Sequence, residues 1–232
     1  IAAGCEHLVK LLKDADVQHK IAKLFADLAE AHSAQVIACG AVEAFVQLLC
    51  SGKLRSEAKA FLQRLAAVDS IVVIKALVGA ASKEHEAARE LLAFAQNGLR
   101  EDIFECKGVA ALKILLMSSH DKDKEAATAA LLDLGTKTDI DHVRIVVTAM
   151  VEIMTGNKKS CKDEAAIVLQ RLAEALRDEA MHAMFVAVGV VPPLLAMANT
   201  SQLGEDVMQV TATDALVALS ATAAGRAAIA AG

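Results

Sequence analysis

Ser56 and Lys59 are the residues whose types and spacing come nearest to catalytic chemistry. The stretch Ser56–Lys59 matches Ser-x-x-Lys, in which a lysine amine activates a serine nucleophile. The Ser-Asp-Asn and Lys-Thr-Gly motifs that accompany it in enzymes are absent from the sequence. Because the stretch opens a predicted helix, we interpret Ser56 as its N-cap and Lys59 as a solvated side chain.

Three further groups of residues each have a structural interpretation. Ser119, His120 and Asp121 are contiguous, whereas the members of a catalytic triad are distant in the chain, so we interpret them as a turn. Residues 156–160 resemble the end of a phosphate-binding loop but lack its upstream glycine and preceding strand. The seven histidines form neither His-Glu-x-x-His nor His-x-x-Glu-His. We therefore predict that the chain is not an enzyme and has no catalytic, cofactor-binding or metal site.

The five cysteines are odd in number, and none is paired in a Cys-x-x-Cys motif. Each lies in an apolar helical stretch or beside a glycine. This pattern predicts buried, reduced thiols and an intracellular, reducing compartment, most simply the cytoplasm. The residues are Cys5, Cys39, Cys50, Cys106 and Cys161.

The composition predicts an all-α fold. Hydrophobic residues make up 55% of the chain, aromatic residues only 3%, and two prolines leave long stretches free to be helical. The net charge is −5, and neither half of the chain is basic. The charge therefore argues against a nucleic-acid partner.

The longest apolar stretch, residues 180–198, also favours a buried helix over a membrane span. A spanning helix needs about 20 predominantly apolar residues without a break. This stretch contains His182, Gly189 and the pair Pro192-Pro193. We expect no membrane insertion.

A recurring tetrapeptide indicates a repeat array. Ile1–Gly4 returns as Ile229–Gly232, with variants at Ile37–Gly40 and Val186–Gly189. An apolar segment, a polar break and a longer amphipathic segment follow each clear glycine, which predicts units of two or three helices and roughly 40 to 47 residues. We expect about six units in one array over residues 1–232, cut mid-repeat at both ends and taken from a longer protein.

Units three and five are degenerate, because no glycine restarts them. Unit three is predicted to have helices over residues 71–78 and 87–95, and unit five over 143–154 and 165–176. The mixed charge runs Lys83–Glu86 and His120–Glu125 are interpreted as solvated loops and first helical turns.

The repeat resembles the armadillo repeat, and it is close to HEAT-like repeats. Ile37–Leu49 and Val186–Met197 resemble the family's first half-unit, including Pro192. The end of the family's third helix is matched by Phe25–Ala29, Leu62–Ala66 and Leu169–Ala173. The resemblance implies a right-handed superhelical solenoid whose third helices line a concave groove that binds an extended segment of another protein.

The armadillo family has a ladder of asparagines near the ends of its third helices, often with a tryptophan one turn earlier. The corresponding ladder positions of this chain hold neither residue, which argues against recognition of basic nuclear-import signals. Charged residues stand there instead. We predict that they form a concave-face protein-binding site, and they are Lys23, Asp27, Arg64, Arg89, Asp133 and Arg171.

These observations predict a protein–protein interaction scaffold that binds its partners through the concave face or the edges of the solenoid. The alternative is a structural subunit of a large multiprotein assembly that uses no peptide groove. No cofactor is expected, and the sequence does not identify the partner proteins.

Overall fold

The computed structural model describes residues 2–14, 16–156, 161–199 and 206–232. These residues form sixteen α-helices and no strand, which confirms the predicted all-α class. The predicted loop at residues 156–160 lies almost wholly outside the described residues, as does most of the polar break at 199–206.

The chain divides into two compact units, Ile1–Ala111 and Leu112–Gly232. The first contains α1 (Ala2–Leu11), α2 (Gln18–Ala31), α3 (Ser33–Ala38), α4 (Ala41–Cys50), α5 (Arg55–Ala66), α6 (Ser70–Ala81), α7 (His85–Gln96) and α8 (Arg100–Glu105). The division falls within α9 (Gly108–Leu116). The second contains α10 (Asp121–Thr136), α11 (Ile140–Thr155), α12 (Lys162–Ala175), α13 (Glu179–Val188), α14 (Val191–Ala198), α15 (Asp206–Leu219) and α16 (Ala223–Ala231). The prediction of one continuous array stays a prediction.

Three-helix and two-helix repeats alternate along the chain. Where a repeat begins with two short helices, a residue with positive φ separates them: Gly40 (φ 77°) between α3 and α4, Lys107 (φ 60°) between α8 and α9, and Gly189 (φ 88°) between α13 and α14. Glycine, which stands at two of these three junctions, adopts this conformation without strain. The degenerate units three and five have one continuous helix instead, α6 or α11. The final helix of each repeat is called its third helix here, and these are α2, α5, α7, α10, α12 and α15.

Three phenylalanines form the centre of the first unit's core. Phe25 on α2, Phe45 on α4 and Phe61 on α5 are fully buried. The rings of Phe45 and Phe61 stack with centroids 3.9 Å apart, and Phe25 meets both edge-on. Burying a side chain of this size stabilises the fold by about 1.5–3 kcal/mol. The cluster therefore joins the third helices of the first two repeats to the helix between them.

A buried histidine lies in the core of the second unit. His182 on α13 is 0% exposed, and its Nε2 lies 3.0 Å from the carbonyl oxygen of Ala173 on α12. Because a carbonyl only accepts, Nε2 carries the hydrogen. Its Nδ1 lies 3.3 Å from Oγ1 of Thr222, which caps α16 by accepting from the Gly225 amide. The ring thus connects three helices, which explains a histidine in an otherwise apolar stretch.

No single helix among the described residues is long and apolar enough to cross a membrane. Only α13 and α14 taken together reach the required length and composition, and they are bent by 76° at their junction.

Candidate protein-binding face

The predicted face can be followed residue by residue on the third helices of the first unit. Helices α2 and α5 pack against each other. Arg64 on α5 extends across to α2, where its Nη1 donates to the carbonyl oxygen of Ala26 at 3.1 Å and lies 3.5 Å from Oδ1 of Asp27. Two of the predicted residues, from successive repeats, are therefore in contact. Their side chains remain 48% and 65% exposed, so the pair is open to a partner.

Lys23 and Arg89 are also exposed on third helices of this unit. Lys23 lies on α2, one helical turn before Asp27. Arg89 lies on α7, where its Nη1 is 3.6 Å from Oε1 of Glu86. These positions follow from the helical period, which places residues four apart on one side of a helix.

Ion pairs also join α5 to α7. Arg55 Nη2 lies 3.2 Å from Oε1 of Glu86, and Lys59 Nζ lies 2.9 Å from Oε2 of Glu90. Gln63 Nε2 is 3.5 Å from the other oxygen of Glu90. The carboxylates are almost fully buried, with side chains 6% and 1% exposed. A buried carboxylate requires such partners, so this network fixes the spacing of the two third helices.

The interpretation of the mixed charge runs as solvated is wrong at two positions. Glu86 is 5% exposed and Asp123 is 7% exposed. Both lie in the first turn of a third helix. Glu86 is covered by Arg55 from the preceding third helix, and Asp123 accepts from the Ser118 hydroxyl at 2.7 Å. The carboxylates are buried because a partner is present for each, which the charge pattern of one segment does not reveal.

The Ser-x-x-Lys stretch is also corrected in detail. Helix α5 begins at Arg55 with Leu54 as its N-cap, so Ser56 is inside the helix and does not cap it. The Ser56 hydroxyl donates to Oε2 of Glu57 at 2.8 Å, and this bond, with further help from His19, lowers the pKa of Glu57. Lys59 is paired with Glu90, although its side chain remains partly exposed. The serine and the lysine therefore have different partners and do not form a nucleophile–base pair.

In the second unit the predicted residues differ in exposure. Asp133 on α10 has a side chain only 10% exposed, and Lys137 lies 3.5 Å from its Oδ1. Arg171 on α12 is exposed. Lys124 joins these two third helices through Oε1 of Glu164 at 2.7 Å, and that hydrogen bond raises the pKa of Lys124. Asp133 is therefore largely covered by neighbouring side chains, whereas Arg171 is exposed at the surface.

Each unit has an open cleft where two third helices end. In the first unit a cleft of ≈ 370 Å³ is lined by Gln63, Ala66 and Phe94 among others, at the ends of α5 and α7. In the second, a cleft of ≈ 260 Å³ lies between α12 and α15, and its lining includes Ala173, Asp214 and Ala218. Both clefts are open to solvent, unlike the enclosed pockets that typically bind small molecules.

Solved structures share this fold. A designed armadillo repeat protein in complex with the peptide (KR)4 is 17% identical, with a TM-score of 0.52 over 92% of this chain and 98% of that chain. An engineered protein is 22% identical, with a TM-score of 0.52 over 93% of this chain and 98% of that chain. A second engineered protein is 24% identical with a TM-score of 0.53, and the match covers 98% of this chain but 61% of that one.

No protein-family model and no curated protein sequence matches the chain. The likeness therefore concerns the fold, and it confirms the predicted armadillo-like helical repeat.

Proposed function

We propose that this armadillo-like chain is a protein-interaction scaffold that binds an extended, acidic segment of a partner protein on its third helices. The observation that carries the proposal is the contact of Arg64 with Asp27 across α5 and α2. Arg64 and Asp27 come from successive repeats, and both side chains are exposed, which supports a shared surface on these two third helices. Repeat proteins use such continuous surfaces mainly to bind other proteins.

The charge of the exposed residues favours an acidic partner. Among the predicted residues, Asp133 is nearly buried and has Lys137 beside it. The five exposed ones comprise four cations and one anion, and the anion, Asp27, is paired with Arg64. The exposed predicted residues therefore carry a net positive charge on a chain whose net charge is −5. Complementary charge increases the rate of association and the specificity for the correct partner.

The ion pairs between α5 and α7 support a surface that is rigid before a partner binds. Arg55 and Lys59 on α5 pair with the buried carboxylates of Glu86 and Glu90 on α7. These two helices are therefore already ordered before a partner binds. A surface that is already ordered loses less conformational entropy on binding.

The designed armadillo protein with the same fold carries a basic peptide, (KR)4. The four exposed cations of this chain would repel such a ligand. We therefore expect this chain to prefer an acidic peptide. We expect its side chains to pair with those of the peptide, instead of binding the peptide main chain.

The test is affinity capture from native lysate with the wild-type chain and with the double variant Arg64→Glu/Arg171→Glu. We expect the wild type to capture an acidic partner that the variant does not capture. Added salt should elute this partner from the wild type, because salt screens the charges. The matched control is Lys75→Glu/Arg144→Glu, which makes the same charge changes at exposed residues outside the third helices.

A partner retained equally by all three proteins would contradict the proposal. That outcome would favour the second function class, a structural subunit held in its assembly by other surfaces.

A further inference from the structure

We propose that an open cleft between α1, α2 and α4 binds a small amphipathic carboxylate, meaning a carboxylate joined to a short apolar group. The cleft has a volume of ≈ 280 Å³ and lies within the first compact unit. Its lining comes from the C-terminal parts of α1 and α4, the loops that follow them, and the start of α2. The proposal is independent of the proposed protein-binding face, because none of the residues predicted for that face lines this cleft.

Two lysines give the cleft its positive charge. Lys13 follows α1 and Lys53 follows α4, so consecutive repeats contribute one lysine each. Both are exposed, and no ion pair within the described part of the chain involves either of them. Arg55 and Lys59, by contrast, are paired with carboxylates of α7. Since the lining contains no Asp or Glu, the charge of the two lysines is not neutralised inside the cleft.

The negatively polarised groups next to the lysines are engaged in their own turns. Asp14, the neighbour of one lysine in sequence, accepts from the Asp16 amide at 3.0 Å through its Oδ1. The carbonyl oxygens of Gln47 and Leu48, near the end of α4, accept from the Ser51 amide at 2.9 Å and from its hydroxyl at 3.0 Å. The first turn of α2 contains no acidic residue. The ammonium groups are therefore left to pair with an anion from outside the chain.

The rest of the lining has both apolar and amide side chains. Leu12 is 2% exposed, and Val9 and Leu48 are half-buried. Gln18 and Gln47 contribute side-chain amides. An inorganic anion would leave the apolar side chains uncovered, and a neutral apolar molecule would leave the lysines without a counter-ion. An amphipathic carboxylate satisfies both, because it accepts charge-assisted hydrogen bonds and buries its apolar group.

The size of the cleft restricts the ligand further. Pockets for drug-sized ligands have volumes of about 300–1,000 Å³, and this cleft is slightly smaller. Its lining contains no aromatic side chain on which the base of a nucleotide could stack. The ligand is therefore a short carboxylic acid or the last residue of a polypeptide, which present the same chemistry.

The first experiment is a chemical-shift titration of the whole isotope-labelled chain with acetate, butanoate and hexanoate. We expect saturable shifts at the backbone amides of Gln18, Gln47 and Ser51. The dissociation constant for hexanoate should be on the order of 1 mM, as for a ligand of about eight non-hydrogen atoms. Affinity should increase along the series by up to roughly fourfold for each added methylene, because each one buries more apolar surface.

Two further probes separate the contributions of charge and apolar surface. Hexanamide has the apolar chain of hexanoate without its charge, and inorganic phosphate has charge without an apolar chain. Each should bind at least about tenfold more weakly than hexanoate, because each satisfies only one part of the lining.

Three variants of the whole chain test the cleft itself. Lys13→Met/Lys53→Met keeps the apolar stems and removes both charges, and it should weaken hexanoate binding at least about tenfold. Ala44→Leu narrows the cleft without a change of charge and should also weaken binding. The matched control, Lys75→Met/Lys83→Met, changes two exposed lysines of the same unit outside the cleft and should stay within about twofold of wild type. An unchanged helical circular dichroism signal identifies the variants as folded.

A peptide that ends in leucine distinguishes the two sources of the carboxylate. If its free-acid form shifts the same amides and its C-terminally amidated form does not, the ligand is the end of a polypeptide. If hexanoate binds and neither peptide does, the ligand is a free acid. The proposal is overturned if hexanoate gives no saturable shift, if hexanamide or phosphate matches it, or if the cleft lysine variant binds it as the wild type does.

Discussion

Glu90 is 0% exposed, yet it carries a carboxylate in the middle of a third helix. Lys59 and Gln63 from the preceding third helix are its partners. Removing one member of a buried pair leaves an uncompensated charge, whereas removing both is often close to neutral. At the scale of single residues, we therefore expect these pairs to contribute little net free energy of unfolding. Their main effect is on the spacing of α5 and α7.

Replacing Lys59 with methionine tests whether the buried carboxylate of Glu90 depends on Lys59. We expect Lys59→Met to lower the free energy of unfolding by about 2–3 kcal/mol, less than for a fully buried pair because Lys59 is 37% exposed. Lys59→Met/Glu90→Leu should recover most of the loss. Urea unfolding followed by circular dichroism measures both, with Lys75→Met on α6 as the control. A single variant as stable as the control would show that Glu90 does not depend on Lys59.

Glu57 provides a pH-dependent prediction with a definite sign. Its pKa in the folded chain is lowered from 4.5, first by the hydroxyl of Ser56 and then by other groups that include His19. The stabilisation is therefore complete above pH 4.5 and is lost as the pH decreases through the lowered pKa. In Ser56→Ala the pKa should move toward 4.5 in an NMR titration of the side-chain carboxyl. Ser82→Ala, whose hydroxyl donates to a helix carbonyl instead, should leave it unchanged.

At the scale of elements, a residue with positive φ separates the two short helices with which some repeats begin, and at Gly40 and Gly189 that residue is glycine. Gly189 has φ 88° and ends α13, so α14 restarts in a new direction. Gly79 lies inside the continuous helix α6, where a Cβ would meet nothing within 4 Å. The same substitution should therefore have opposite effects at the two positions.

Gly189→Ala should destabilise the chain by about 1–2 kcal/mol, because an L-residue is strained at positive φ. Gly79→Ala should stabilise it by up to about 1 kcal/mol, because alanine is the better helix former. Thermal unfolding of the two variants beside wild type gives both values. Equal shifts of the same sign would rule out this account of the repeat boundary.

The helices could be predicted from sequence because each has its own apolar period. The predicted segment 143–154 became α11, Ile140–Thr155, and 87–95 became α7, His85–Gln96. Contacts between repeats could not be predicted in this way. Glu90 is buried against Lys59, a repeat earlier, and Glu86 is buried against Arg55 of the same preceding helix. Both need the relative register of two helices, which no local pattern contains.

The candidate site was predictable only in part for the same reason. The ladder register placed Arg64 and Asp27 at equivalent positions, and the structure shows them in contact. The register could not show that Asp133 is 10% exposed beside Lys137. Exposure at a ladder position is decided by the side chains that surround it, not by its place in the repeat.

At the scale of the whole molecule, charge is distributed unevenly. The chain has a net charge of −5, but four of the five exposed residues among those predicted for the face are cations, Lys23, Arg64, Arg89 and Arg171, and the fifth is Asp27. Each compact unit contributes to this set. Under the proposed function, changing one cation in each unit measures what the two units contribute to binding.

The dissociation constant of the captured partner, measured by calorimetry, is the most direct test of the central claim. For Arg64→Glu/Arg171→Glu we expect at least about tenfold weaker binding than for wild type, a loss of about 1.4 kcal/mol or more. Lys75→Glu/Arg144→Glu should remain within about twofold, as expected for charges outside the contact. Equal dissociation constants for the three proteins would contradict binding on the third helices.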